Sequence, residues 1–423
     1  MAPLAPPDLN RLVETIGQSP PVDLARPYDA STLRGRTILV TGGASGLGAA
    51  FARHWAAHGA NLIIGDIDDA AGEALAAELR TITTTAAGED NHRHFFVHVD
   101  VTDWSSQAAL FREAARVSPT GALDAVVASA GISDRHGAAT GRGFENPAGL
   151  DAPDPPAPDL TCIQVNLIGV MYTAHLALFW LQQDGGGGGG EEEEKQKQAR
   201  RKRDRHLLLV GSYAGLSAIP GVPEYVTSKH GVTGLFRSLR TLSYRQGVRV
   251  NLLCPYFVDT PILGNQAMAM LAGMGLGAQA DVVDAATRLM ACCGGEGAAA
   301  RIAGRALAVG PRLSLLKGKG KGKGKGKGKD VLPVHELDGE RGEDEEITAR
   351  DGDVLVDEDV RRGKGQAVWE CYAHDYDTVD FFIRRYIRVL NTVTAVKGWV
   401  GWATDLFHAL FVRRDPAKSS RVG

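Results

Sequence analysis

The sequence predicts an α/β fold: an open, doubly wound parallel sheet of about seven strands with helices on both faces. Three observations predict it. Short apolar runs at Ile38–Val40, Leu62–Ile64 and Leu207–Val210 have the length and uniform hydrophobicity of strands buried on both faces. Stretches of helical pattern separate them, beginning with Ala49–His58 and Ala70–Arg80. The runs at Ile38 and Leu207 end in turns of glycine and serine, at the sheet edge where such folds bind ligands.

The first turn carries the fullest signal. Gly42, Gly43, Gly46 and Gly48 follow the first strand at once, and a helical pattern opens behind them. Glycines there allow positive φ and let backbone N–H groups approach a pyrophosphate at a helix N-terminus. The second strand ends in Gly65-Asp66, about twenty positions further on, where a carboxylate accepts hydrogen bonds from an adenosine ribose. The spacing Gly42-x3-Gly46-x-Gly48 departs from the general GxGxxG pattern, so the weight rests on the order strand, turn, helix, strand, acid. Asp66 suits two ribose hydroxyls and repels a 2′-phosphate, and no Arg or Lys lies within Gly42–Gly48. NAD is therefore the expected cofactor.

Third and fourth strands are expected at Phe95–Val99 and Leu123–Ala128. After the strand Leu207–Val210 comes a loop with Ser212, then a helix with Tyr225 and Lys229, four positions apart and so on one face. A hydroxyl, a phenol and an ammonium at such an edge suggest proton transfer to or from a substrate oxygen. On the YxxxK spacing alone, a surface tyrosine beside a solvated lysine is the commoner reading. The glycine turn upstream reverses that weighting.

Taken together, these motifs resemble the short-chain dehydrogenase/reductase family, whose fold is of the Rossmann type. TGGASGLG at Thr41–Gly48 matches the family's TGxxxGxG turn, and YVTSK at Tyr225–Lys229 matches its YxxxK. Ser212 precedes Tyr225 by thirteen residues, as the family's serine does. Asn166 lies in QVNLIGV, Asp100 and Val101 in VDVTD, and Val258 and Thr260 in CPYFVDT, where the family has PGxVxT. The resemblance implies that Thr41, Gly42, Gly46, Leu47, Gly48, Asp66, Asp100, Val101, Ala130, Gly131, Val258 and Thr260 hold the cofactor, together with Tyr225 and Lys229. It implies that Tyr225 exchanges the alcohol proton while hydride passes to nicotinamide. Ser212 then holds the substrate oxygen, Lys229 bonds the nicotinamide ribose, and Asn166 anchors a proton-relaying water. A free tyrosine, with a pKa near 10, is a poor base at neutral pH, so Lys229 and the positive nicotinamide are expected to lower it. Two departures stand out: the family's NNAG is Ala128-Ser129-Ala130-Gly131, and the Gly after Pro255 is Tyr256. The layout also resembles hydroxyprostaglandin-dehydrogenase-type members and a hydroxyaverantin-dehydrogenase-like fungal branch.

The remaining chain sets boundaries. Residues 1–33 are expected to be a flexible arm whose acidic residues fit neither a secretory signal nor a mitochondrial presequence. Residues 34–312 form the Rossmann domain, interrupted by a low-complexity, disordered insertion at 185–205. A Lys-Gly repeat and an acidic run make 313–365 a linker, and 366–423 a helical C-terminal extension. Five cysteines without metal-ligand spacing suit a reducing compartment, and the expectation is a cytoplasmic protein with no metal. A net charge of −3 gives no specific nucleic-acid partner. The C-terminal tail is suited to packing on protein or, less favoured, to contact with a membrane surface. Thr161–Gln183 is apolar almost all round, and the resemblance makes it a subunit interface of a homodimer or homotetramer. Methionine-rich residues 261–277 read either as a plain packing helix or as a lid, and a lid would cover a hydrophobic secondary alcohol or ketone. The alternative functions are a catalytically weak NAD-binding scaffold and an adaptor working through the charged runs.

Overall fold

A computed structural model describes residues 18–86, 93–134, 144–183, 203–240, 247–264, 268, 271, 275–292, 301–313, 366–372, 392, 396 and 399. The chain divides into two compact units, Ile16–Cys371 and a second formed by Met1–Thr15 with Tyr372–Gly423. In the second unit Thr392, Val396 and Trp399 are helical and exposed. Residues 1–17 of the expected arm, and the expected helical extension after Tyr372 apart from those three residues, lie outside the described residues.

The first unit is the predicted α/β domain. Its strands are β1 (Thr37–Thr41), β2 (Asn61–Asp66), β3 (His94–His98), β4 (Ala125–Ala128), β5 (His206–Val210), β6 (Arg249–Pro255), β7 (Ala306–Leu313) and β8 (Gln366–Cys371). They form one sheet in the order β3-β2-β1-β4-β5-β6-β7-β8. All neighbours are parallel except β7 and β8. β1, β4, β5 and β6 are buried at every position, which is why they read as continuous apolar runs. Helices α1 (Gly46–Ala57), α2 (Asp69–Ala86) and α6 (Gln279–Met290) cover one face. α3 (Trp104–Val117), α4 (Thr161–Trp180) and α5 (Pro223–Leu239) cover the other. By length and composition α4 is apolar enough to cross a membrane, but it lies on the sheet with Val170, Ala174 and Ala177 buried. Its outer residues Met171 and Phe179 are 45% and 57% exposed.

The structure differs from the sequence reading at three edges. The sheet has eight strands, because Gln366–Cys371, expected to open the C-terminal extension, pairs antiparallel with β7 and covers its free edge. Arg305, just before β7, and Glu370 of β8 make an ion pair at 3.2 Å with side chains only 2% and 3% exposed, and Glu370 also accepts the Val22 N–H at 2.6 Å. The described part of the expected N-terminal arm is accordingly held in place. Ser19 N donates to Ala303 O, Arg305 donates to Ser19 O, and Leu33 is fully buried. The last residues of the expected disordered insertion are also ordered: Arg203 donates to the carbonyls of Leu181 and Gln183, and Asp204 is buried. Residues 184–202 lie outside the described residues.

Asp204 centres a charge cluster at the N-terminal edge of the sheet. Arg249 binds it through two bonds of 2.7 Å, and Arg36 approaches to 2.7 Å. Burial opposes the Asp204 carboxylate, but the Arg249 and Arg36 guanidiniums prevail and hold it well below the usual range. Neighbouring His206 is kept neutral, first by its own burial and then by Arg249. Breaking one side of a buried pair leaves the other charge uncompensated. Asp204→Asn should therefore lower stability in urea unfolding by about 3–5 kcal/mol. Arg53→Ala, which breaks a partly exposed pair with Glu78, should change it by less than about 1 kcal/mol.

Candidate active site

The site lies at the C-terminal edge of the sheet, where the strand order reverses between β1 and β4. At Gly42, with φ +66°, a Cβ would stand 2.5 Å from Ala130 Cα. A Cβ at Gly48 would overlap the Gly42 carbonyl oxygen, so α1 starts hard against the turn. Gly46 is open by comparison: its nearest neighbours are Thr260 and Pro261, at 3.7–3.8 Å. The N-cap residue Ser45 makes no side-chain cap bond, which leaves the first N–H groups of α1 facing the crevice, suited to a phosphate. Leu47 is half-buried behind them.

Asp66 ends β2 beside this turn. Its Oδ2 accepts from Ala44 N at 2.9 Å, and its Oδ1 accepts from Ile67 N at 2.8 Å and Asp68 N at 3.1 Å. Three backbone donors thus fix the carboxylate at the crevice rim, and the donor set fits a dinucleotide with a free ribose diol. Asp100 turns one oxygen, Oδ1, onto Thr102 N and Oγ1 at 2.8 and 2.7 Å. Val101 beside it is buried, and Gly169 lies close enough that a Cβ would stand 3.0 Å from it. Thr41 Oγ1 donates to Val127 O at 3.4 Å, tying β1 to β4. Thr260 donates to Val258 O at 3.2 Å, and buried Val258 bridges to Gly277. Asp66 and Asp100 mark one end of the crevice and the residues below the other.

Ser212, after β5, caps a short 3-10 turn, Tyr213–Gly215: its Oγ accepts the Ala214 N–H at 3.1 Å and donates to Pro255 O at 3.5 Å. That turn packs so closely on α5 that a Cβ at Gly215 would stand 2.5 Å from Lys229 O. Ser212 and the Tyr225 phenol are hydrogen-bond partners. One helical turn on, Lys229 is only 4% exposed, with Nζ donating to Val210 O at 3.2 Å and lying 5.6 Å from the Tyr225 ring centre. The ammonium is inside the site and not in solvent.

Asn166 falls in a π-helical segment, Gln164–Gly169, within α4, a distortion often found at functional sites. Fully buried, it clamps Ile132 from both sides: Oδ1 accepts the Ile132 N–H at 2.8 Å and Nδ2 donates to Ile132 O at 2.9 Å. Its amide is thus committed to backbone and steadies the loop after β4, the loop that lacks the family's usual asparagine. Buried Gln107 holds the same segment, donating to Val101 O at 2.6 Å and Gly169 O at 2.8 Å. Gly131 brings the groups together: a Cβ there would stand 3.3 Å from Asn166 Oδ1 and 3.6 Å from Lys229 Nζ.

The expected lowering of the phenol drew on Lys229 and the positive nicotinamide together. Within the protein alone the phenol is not made acidic. Burial raises the Tyr225 pKa, and the Ser212 hydrogen bond only partly opposes it. Burial also lowers Lys229 to about 8. Desolvation penalises the charged form of both groups. The sequence reading also passed over Glu224, next to Tyr225, whose carboxyl is raised by burial and by its hydrogen bond with Asp134. It passed over the aromatic neighbours of Ser212 as well. Nothing short-range in the sequence marks either.

The family model for short chain dehydrogenases matches residues 36–189 and 197–270, more than half of the chain. The chain belongs to the short chain dehydrogenase family. It is thus an oxidoreductase of CH–OH groups that works with a nicotinamide cofactor. A 5'-hydroxyaverantin dehydrogenase of Emericella nidulans is 36% identical over 300 residues, covering 69% of this chain and 88% of the relative. One of Dothistroma septosporum is 38% identical over 247 residues, covering 58% and 74%. Other matched relatives are named for NAD and for NADP. Among solved structures, a short-chain dehydrogenase/reductase from Mycobacterium marinum shares the fold at a TM-score of 0.50 and 20% identity, covering 66% of this chain and 96% of its own.

Lys229 also bears on stability. Its folded pKa, about 8, lies below the unfolded value of 10.5. The unfolded chain therefore holds the proton more tightly, and the native state is penalised below about pH 8 and relieved as pH rises to about 10.5. Lys229→Met should accordingly be more stable than the natural protein at pH 7, by about 1–3 kcal/mol, with the gain fading by about pH 10.5. Thermal unfolding across that range measures it; an equal or lower stability at pH 7 would contradict the assignment.

Proposed function

We propose that this dehydrogenase interconverts a hydrophobic secondary alcohol and its ketone using NAD, with Tyr225 as general acid and base. The observation that carries the reading is the meeting of the Tyr225 phenol, its partner Ser212 and the buried Lys229 ammonium at one sheet edge, beside the glycine turn. When bound, the nicotinamide supplies the acceptor or donor of hydride. Ser212 holds the substrate oxygen, and Tyr225 takes up or returns its proton. Lys229, within a turn of the phenol, keeps positive charge beside it and holds the cofactor ribose. Because the protein alone leaves the phenol raised, its activation draws on the charge of the oxidised cofactor as well as on Lys229. Asn166 acts through the Ile132 backbone, positioning the loop that carries Gly131. A hydrophobic substrate is supported by Tyr256, Phe257, Met268, Leu271 and Leu276, all half-buried after β6; residues 265–267, 269–270 and 272–274 of the expected lid lie outside the described residues.

Tyr225→Phe should cut turnover by about a hundredfold to ten-thousandfold while cofactor binding, followed by fluorescence, persists. Retention of more than a few per cent of turnover would remove the phenol from the mechanism. NAD is supported by Asp66, whose fixed carboxylate repels a 2′-phosphate. Replacing it in Asp66→Ala should raise the kcat/KM ratio for NADP over NAD by about tenfold or more, since each tenfold needs only about 1.4 kcal/mol. A natural enzyme that already prefers NADP would overturn the cofactor assignment.

A further inference from the structure

The proton-transfer set leaves unused three aromatic rings at the ends of β5 and β6. Tyr213 directly follows Ser212, and Tyr256 directly follows Pro255, whose carbonyl oxygen is 3.5 Å from Ser212 Oγ. The rings of Tyr213 and Tyr256 meet edge to face, with centres 5.2 Å apart at 82°. Tyr256 in turn meets Phe257 at 4.8 Å and 78°. The three thus form a continuous array that starts one residue from the oxygen-holding serine. Tyr213, its first member, is 40% exposed, so the ring next to Ser212 in the chain is open to being covered. Burial, with Tyr213 beside it, raises the Tyr256 phenol, so that ring stays neutral at working pH.

An edge-to-face array presents electron-poor edges and electron-rich faces at fixed angles. A planar aromatic group extends it by the same geometry, whereas a saturated group of equal size gains only the burial of its area. At position 256 the turn of the family that the sequence resembles carries glycine, so the ring is particular to this chain's turn. We propose that Tyr213, Tyr256 and Phe257 form a recognition wall that selects secondary alcohols whose carbinol carbon is attached to a planar aromatic ring system. The proposal deepens the dehydrogenase reading and rests on it for the reacting site alone.

The test compares naphthyl methyl carbinol with its saturated counterpart, decahydronaphthyl methyl carbinol, which shares the skeleton without the π-system. With the natural enzyme, kcat/KM should favour the aromatic alcohol by about tenfold, the scale of one or two aromatic pairs. In Tyr256→Leu and in Tyr213→Leu the preference should shrink to about twofold or less, through a rise in KM for the aromatic alcohol with kcat little changed. Tyr213 is partly exposed, so its variant tolerates the change even where Tyr256→Leu does not fold. Tyr172→Leu, in a separate aromatic pair with Trp104, should leave the preference intact. A preference unchanged in both wall variants, or a natural enzyme that favours the saturated alcohol, overturns the proposal and leaves the dehydrogenase reading standing. If neither alcohol turns over, calorimetric binding of the two corresponding ketones decides. Tighter binding of the aromatic ketone that is lost in Tyr213→Leu upholds the wall while the dehydrogenase reading falls, and equal binding of both ketones sinks the wall.

Discussion

No side chain fits between the turn after β1 and the loop after β4. A Cβ on Gly42 would lie 2.5 Å from Ala130 Cα, closer than atoms of two residues approach. This backbone contact sits where the strand order reverses, so the connections from β1 and β4 depart to opposite faces and a crevice opens above them. Both halves of the site are placed from there. Gly48 sets α1 against the turn, and Asp66 reaches back to Ala44. On the other side, Gly131 follows Ala130 at once and lies against both Asn166 and Lys229. A larger residue at Gly42 would therefore displace the cofactor cradle and the catalytic loop together.

The two edges of the sheet treat charge in opposite ways. At the N-terminal edge the Asp204 carboxylate is buried among guanidiniums that more than offset its desolvation. At the C-terminal edge the Lys229 ammonium is buried with a carbonyl oxygen as acceptor, and that burial disfavours its charge. The first arrangement holds strands together. The second keeps a cation at a cost to stability, as functional sites commonly do. The same desolvation raises Tyr225, so the site is poised to respond to an added positive charge rather than being fully ionised beforehand.

Much of the candidate site was legible because its signals are local. A strand running into Gly42, Gly46 and Gly48, or a tyrosine and lysine one turn apart, places its groups through a few consecutive residues. The roles of Asn166 and Tyr256 were less legible. Asn166 appeared as one helical asparagine, but its task is to clamp Ile132, thirty-four positions away, from a π-helical turn. Tyr256 appeared only as a departure from a glycine, and its ring acquires meaning beside Tyr213.

The sequence by itself determined the first five strands, the glycine turn, the acid after β2 and the Ser212, Tyr225 and Lys229 set, since periodicity and short spacing encode them directly. Only the tertiary structure decided that residues 366–371 return as an eighth strand, through the Arg305–Glu370 pair. It likewise decided that Arg203 and Asp204 leave the low-complexity run for the core, and that burial raises the phenol. Each of these depends on partners distant in the chain or on the exclusion of water, and neither is written in the composition of a local stretch.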